Sequence, residues 1–442
     1  MAILVDTLID AQYIVPVVPA NTVLNGHSIA IQSGRIVDLL PTPEAIGRYA
    51  PRRRVSLAHH VLIPGLVNTH THAAMTLMRG LADDLALMSW LNDHIWPAEA
   101  AHVSADFVYD GALLACAEML RAGITCFNDM YFFPEAAARA IVDSRMRAML
   151  GIIVIEFPSN YAGDADAYLH RGLKTRDAFR DVPLLKFCLA PHAPYTVTDK
   201  SFAKVLTYSE QLNVPIHMHV HETLDEINQS QTQYGMRPIE RLSRLGLLGP
   251  NFVAVHAVHL TPLEIALLAQ QACHVVHCPT SNLKLASGIA PSAALLEAGV
   301  NVALGTDGAA SNNRLDVFAE MRLAALLAKG SSGKADVMPA HQALRMATLN
   351  GARALGLDDE IGSLEAGKAA DIVALDLSSI ETSPCYDVAS HLVYAASREH
   401  VSDVWIAGNR LLENRVAGHI DLDAIHVKTQ MWQDKIVAKE NR

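Results

Sequence analysis

Eight short apolar runs, beginning near Leu66, Ile124, Met149, Leu184, Val214, Phe252, His274 and Val300, are separated by spacers of helix length. Strands that recur with a helix between each pair cannot pair as hairpins, so this alternation confines the middle of the chain to a parallel sheet with helices outside it. Repeated eight times, it predicts a closed (β/α)8 TIM-type barrel. The spacers carry helix signals. One follows Ser104, reads FVYDGALLACAEMLR and stops at Gly123, a polar cap, an apolar stripe and a glycine stop. Another opens Thr261-Pro262-Leu263-Glu264, a capping box with proline at the first helical position. A doubly wound open sheet is the alternative, but no glycine-rich phosphate loop follows the first strand.

The two ends read differently. SIAIQSGRIVDLL and RRVSLAHHVLI at the start, and GSLEAGKAADIVALDL and HVSDVWIAGNRLLEN near the end, are β-like, and neither end is long enough to enclose a core alone. The expected organisation is therefore residues 1–61 and 362–442 combining in a small β-sandwich, the latter with a tail, beside a barrel of residues 62–361. Net charge is −11 and the one basic cluster is Arg52-Arg53-Arg54, which argues against a nucleic-acid polymer. No apolar run spans a bilayer and no basic segment precedes an apolar stretch at the N-terminus, so the expected location is cytoplasmic and off the membrane. The six cysteines form no C-x-x-C pair and read as buried thiols.

Histidine is the unusual residue, with 21 copies, several at the ends of the apolar runs. The first barrel run ends Asn68-Thr69-His70-Thr71-His72. Side chains two apart on a strand share a face, so His70 and His72 project together at the C-terminal mouth, where barrel enzymes place their sites. Two imidazoles on one face are half of a zinc shell. The fifth run contains His217, His219, His221 and Glu222. The three histidines share a face, and depth separates them: His217 lies deeper and His221 in the loop, which leaves His219 with Glu222 beside it. Asp307, between Gly305 and Gly308 after the eighth run, reads alone as a turn residue. With three histidines aimed at the same mouth it becomes a fourth donor, and a His3Asp set suits a borderline divalent ion such as zinc. His256 ends the sixth run and is placed to orient a water, or simply to pack. His192, between two prolines after the fourth run, faces the mouth or fixes its loop. Lys186 lies in the fourth strand well before His192, which favours one metal over a lysine-bridged pair.

Taken together these segments resemble the amidohydrolase superfamily, in the branch that contains 5′-methylthioadenosine/S-adenosylhomocysteine deaminases and triazine hydrolases. The resemblance is carried by PGLVNTHTHAAMTLMRGLADDL, GITCFNDMYFFP, APHAPYT, IHMHVHET, HCPTSNLKLASG and VALGTDGAASNN, then by MATLNGARALG and LEAGKAADIVALD. It implies one divalent metal, zinc before iron(II) or manganese(II), on His70, His72, His219 and Asp307. It further implies Glu222 as proton shuttle and substrate contact, with His256 and Asp307 as catalytic partners at the attacking water. Glu99 would bind the ribose hydroxyls and His192 the substrate. The implied reaction is deamination of the adenine ring of a purine nucleoside such as methylthioadenosine, S-adenosylhomocysteine or adenosine, by a homo-oligomer, dimer or tetramer. Arg171 is a weak candidate for the substrate's tail and is not assigned. The rival readings are hydrolytic deamination or dechlorination of s-triazines, or deamination of guanine or cytosine, on the same barrel, and a metal-free scaffold that has lost the chemistry.

Overall fold

The computed structural model describes residues 2–440. The eight apolar runs are the eight neighbouring parallel strands of one sheet: β5 (Leu66–Thr71), β6 (Ile124–Asp129), β7 (Arg147–Val154), β8 (Leu185–Pro191), β9 (Ile216–Val220), β10 (Phe252–His256), β11 (His274–His277) and β12 (Asn301–Leu304). Their residues are buried almost throughout, as expected of strands covered by helices on one side and packed on each other inside. The spacer helices form where their caps predict. Ser104 accepts from Phe107 N at the head of helix Ala105–Arg121, and Thr261 and Glu264 form the reciprocal capping box of helix Pro262–Gln270.

The chain ends combine in a second, mixed sheet of seven strands. Its members are β1 (Ile3–Ile14), β2 (Leu24–Gln32), β3 (Arg35–Pro41), β4 (Tyr49–Pro64), β13 (Ile372–Asp376), β14 (Val401–Ile406) and β15 (Asn409–Leu412), in the order β15-β14-β13-β4-β1-β2-β3. β13 lies antiparallel on β4, with Ile372 opposite Pro64, so the late segment is zipped to the early one where β4 hands over to the barrel. Side chains from both ends share one core, including Ile9, Ile29, Val55, Ile372 and Trp405. A buried ion pair joins this sheet to the barrel: Arg147 on β7 meets Asp371 at 2.9 and 3.1 Å, and Asp371 also accepts from Ala407 N at 2.7 Å.

The C-terminal segment is not wholly β. Helix Leu422–Glu440 returns to the barrel, where Trp432 packs edge-on against Phe107 and donates to Asp110 at 2.8 Å. Ile425, Trp432 and Ile436 are its buried stripe. All six cysteines are free, five of them buried. No helix among the described residues is long and apolar enough to cross a membrane.

Candidate metal centre and cavity

The C-terminal ends of four barrel strands deliver their polar side chains to one point. His70 Nε2 and His72 Nε2 each lie 3.2 Å from Asp307 Oδ1, and His219 Nε2 lies 3.2 Å from His70 Nε2. One donor atom each from His70, His219, His256 and Asp307 falls within 4.8 Å of the others, so His256 stands in this group with three of the four residues expected from sequence, while His72, the fourth, is tied to it through Asp307. Asp307 is asymmetric. Its Oδ2 accepts from Ser281 and Ser311, both at 2.7 Å, whereas its buried Oδ1 has no hydrogen-bond donor and faces only imidazole nitrogens.

The far side of each ring explains the near side. Nδ1 of His72 faces the Met130 carbonyl at 2.5 Å, that of His219 the His192 carbonyl at 2.8 Å, and that of His256 the Asn282 Oδ1 at 2.8 Å. A ring that donates through Nδ1 keeps its proton there and presents a lone pair at Nε2. Converging lone pairs and a bare carboxylate oxygen repel one another unless a cation sits among them, so the donor set fits one divalent ion. Burial pushes the Asp307 carboxyl upward, but His70 and His72 beside it outweigh this and hold it well below the usual range. Burial pulls His72 down, yet the same contact with Asp307 lifts it to about 9, so positive charge is favoured at this point, as a proton on Nε2 or as a metal ion in its place.

Local backbone makes these approaches possible. His256 and Asp307 have φ of +70° and +61°, left-handed values that cost non-glycine residues energy and cluster at functional sites. Asp307 is thus both the turn residue its flanking glycines suggest and a donor. Gly305 has no room for a side chain, since a Cβ would come within 2.9 Å of His70 Cβ, and a Cβ at Gly308 would crowd His72 Cβ at 3.2 Å. β12 and β5 are the two ends of the strand order and share no ladder. Asn68 clasps them instead, accepting from Thr306 N at 2.9 Å and donating to Thr306 Oγ1 at 2.8 Å.

Glu222 sits against the cluster, with Oε2 3.6 Å from His256 Nε2 and Oε1 accepting from Ser287 at 3.2 Å. Glu226 holds this corner by accepting from the backbone N–H groups of His221 and Glu222 at 2.8 and 2.9 Å. Burial raises the Glu222 carboxyl above its ordinary range, although His256 pulls the other way. Among its neighbours, His221 is turned into the loop, where its Nε2 accepts from Ile239 N at 3.1 Å, and His217 lies below the cluster against His70. Lys186, on β8, is exposed and lies away from the centre.

Above the centre opens a cavity of about 530 Å³ lined by His192, Glu99 and several aromatic rings. Glu99 Oε1 accepts from Tyr131 at 2.7 Å, and burial lifts its carboxyl to about 7. His192 lines the cavity while its Nδ1 lies 3.0 Å from Thr196 Oγ1, so the facing and loop-fixing positions are both occupied by one ring. Trp96, one helical turn before Glu99, meets Phe157 across the wall with ring centroids 6.0 Å apart. Neither lysine nor arginine is among the lining residues. Arg171 instead covers the Tyr161 ring at 4.4 Å and donates to the Tyr161 carbonyl. Residue-by-residue sequence reading missed Ser281, Asn282, Ser311, Tyr131 and Asn68. Two lie in the HCPTSN segment and one in the TDGAASNN segment, where a run of small polar residues beside a strand end was the available signal.

Comparison with known proteins gives a consistent picture. A sequence model described as the amidohydrolase family matches residues 61–411. A 5-methylthioadenosine/S-adenosylhomocysteine deaminase of Teredinibacter turnerae is 47% identical over 435 residues, covering 98% of each chain. A 5′-deoxyadenosine deaminase of Methanosarcina acetivorans is 40% identical over 438 residues, covering 99% of each. The crystal structure of an adenosine deaminase from Xanthomonas campestris with bound zinc superposes with a TM-score of 0.98 at 50% identity, covering 99% of this chain and all of that one.

Proposed function

This chain belongs to the amidohydrolase family, and from that premise we propose that it deaminates the adenine ring of 5′-methylthioadenosine and related 5′-modified adenosines, S-adenosylhomocysteine among them, releasing ammonia and the inosine analogue. The observation that carries this reading is the unpaired Oδ1 of Asp307 facing the imidazole cluster, with Glu222 beside it and Glu99 in the cavity above. His70, His72, His219 and Asp307 would hold one divalent ion, and we assign zinc on the chemistry of the donors and the zinc-bound relative. Bound there, the ion supplies Lewis acidity that brings the pKa of water from about 15.7 toward 7.

The protein's own groups do the rest. Glu222, raised by burial, takes a proton from the attacking water and delivers it to N1 of the purine. Protonation at N1 makes C6 electrophilic, and the oxygen adds there. His256, 3.6 Å from Glu222, holds the water's orientation, and Asp307 with His256 takes up its second proton for the departing amine. A C–O bond forms, the C–N bond breaks, and water supplies every atom gained. Glu99 offers two carboxylate oxygens to the ribose hydroxyls, and His192 offers a ring nitrogen to the purine. A wall with Trp96 and Phe157 and without a cation supports an apolar 5′ substituent over the charged tail of S-adenosylhomocysteine. The family likeness also supports a homo-oligomer.

The test is ammonia release from methylthioadenosine, S-adenosylhomocysteine, adenosine, guanine and an s-triazine, with chelator-stripped and zinc-restored protein. Turnover is expected to be fastest on methylthioadenosine, lost on stripping and regained with zinc. Release from guanine or the triazine but from none of the nucleosides would refute the assignment.

A further inference from the structure

Three of the four imidazoles around the metal centre keep Nδ1 on an oxygen that can only accept: two backbone carbonyls and the Asn282 amide. His70 is the exception. Its Nδ1 lies 2.9 Å from Nε2 of His217, a group that donates or accepts according to its own tautomer. For His70 to present a lone pair at Nε2, its proton must stand on Nδ1, and His217 Nε2 must receive it. The proton of His217 is then forced onto Nδ1, where no group among the described residues accepts it. Buried polar atoms without a partner are uncommon. Here the unpaired atom follows from the tautomer that His70 requires, on a ring only 1% exposed and stacked on His70 with centroids 5.0 Å apart. Val253, the residue opposite His217 on β10, is buried in an apolar cluster with Val255 and Val276, so packing alone does not call for imidazole.

We propose that His217 is a positioning residue that fixes the tautomer and orientation of His70 and thereby strengthens the site's hold on its divalent ion. This rests on the metal reading above, and its test does not depend on turnover. The full chain, stripped of metal, is titrated with zinc against a competing chelator, alongside His217→Leu, His217→Asn and His217→Gln. The glutamine oxygen reaches about as far as Nε2 and can accept from His70 Nδ1, whereas leucine cannot accept and the asparagine amide is too short. Loss of such an orienting partner commonly weakens metal binding 10–100-fold. Leucine and asparagine are expected to weaken zinc binding about 10–100-fold and to alter the visible spectrum of the cobalt(II)-substituted protein, with glutamine restoring both. The melting temperature of each metal-free variant reports whether it is folded. Zinc held as tightly by the leucine and asparagine variants as by the unaltered chain overturns the proposal, as does equal weakening in the glutamine variant, which would mark a role in packing only. Failure of the unaltered chain to bind zinc would instead overturn the metal reading itself.

Discussion

Glu99 ties substrate affinity to pH in a direction that its environment dictates. Burial lifts its carboxyl to about 7, against the opposing pull of the Tyr131 hydroxyl and of His72. A ribose diol donates two hydrogen bonds, and only the ionised carboxylate accepts both. With a midpoint near 7 the ionised fraction is about one tenth at pH 6 and about nine tenths at pH 8, so KM for methylthioadenosine should fall about tenfold across that interval. The fall has one sign because deprotonation creates the binding form. The assay is initial ammonia release over a range of substrate concentrations at each pH, repeated with a 2′,3′-dideoxy analogue that lacks the diol. That analogue should bind weakly with little pH dependence, and Glu99→Gln should flatten the profile for the full nucleoside. A KM that stays level or climbs from pH 6 to 8, or an equal slope with the dideoxy analogue, would refute the placement of the ribose on Glu99.

Two further substitutions separate proton transfer from assembly of the site. Glu222→Gln keeps the shape that accepts from Ser287 but cannot shuttle a proton, so kcat should fall about 10²–10⁴-fold with metal content unchanged; a near-normal rate, followed by the same ammonia assay, would remove Glu222 from the chemistry. Gly305→Ala drives a Cβ to 2.9 Å from the backbone nitrogen and Cβ of His70, which should cost about 1–3 kcal/mol in chemical unfolding and lower zinc occupancy; an unchanged unfolding midpoint and full occupancy would show that the seam has slack.

The barrel was legible because its signals are local. Apolar runs bounded by caps place a strand or a helix from a dozen residues, and the expected strand starts at Leu66, Ile124, Phe252 and His274 coincide with the observed ones. The end segments carry such signals too, but their pairing does not. Nothing near Ile372 announces that it will lie opposite Pro64, because that register is set by two strands some three hundred residues apart in sequence. The terminal helix was read only as a tail, although Ile425, Trp432 and Ile436 fall on one face at helical spacing. Three lysines, Lys428, Lys435 and Lys439, with a polar majority around them, hide that stripe until Phe107 and Asp110 supply its surface.

The candidate site divides along the same line. His70, His72 and His219 were visible because strand periodicity aims alternate side chains at a mouth whose position is a property of the fold. The groups that orient them come from elsewhere: the Met130 carbonyl, Asn282, Ser281 and Ser311 act through distances that no spacing encodes. The site lies at the seam between β12 and β5, the one place where the parallel ladder does not close. At that seam Asp307 N donates to the His70 carbonyl at 3.0 Å, Thr71 Oγ1 donates to the Asp307 carbonyl at 3.0 Å, and Asn68 grips Thr306. A continuous ladder would hold the strands in register but would leave no freedom for Asp307 to take a left-handed φ and turn its carboxylate onto His70 and His72. Replacing the ladder by one backbone bond and these side-chain clasps lets the barrel close and the two halves of the donor set meet at the same point.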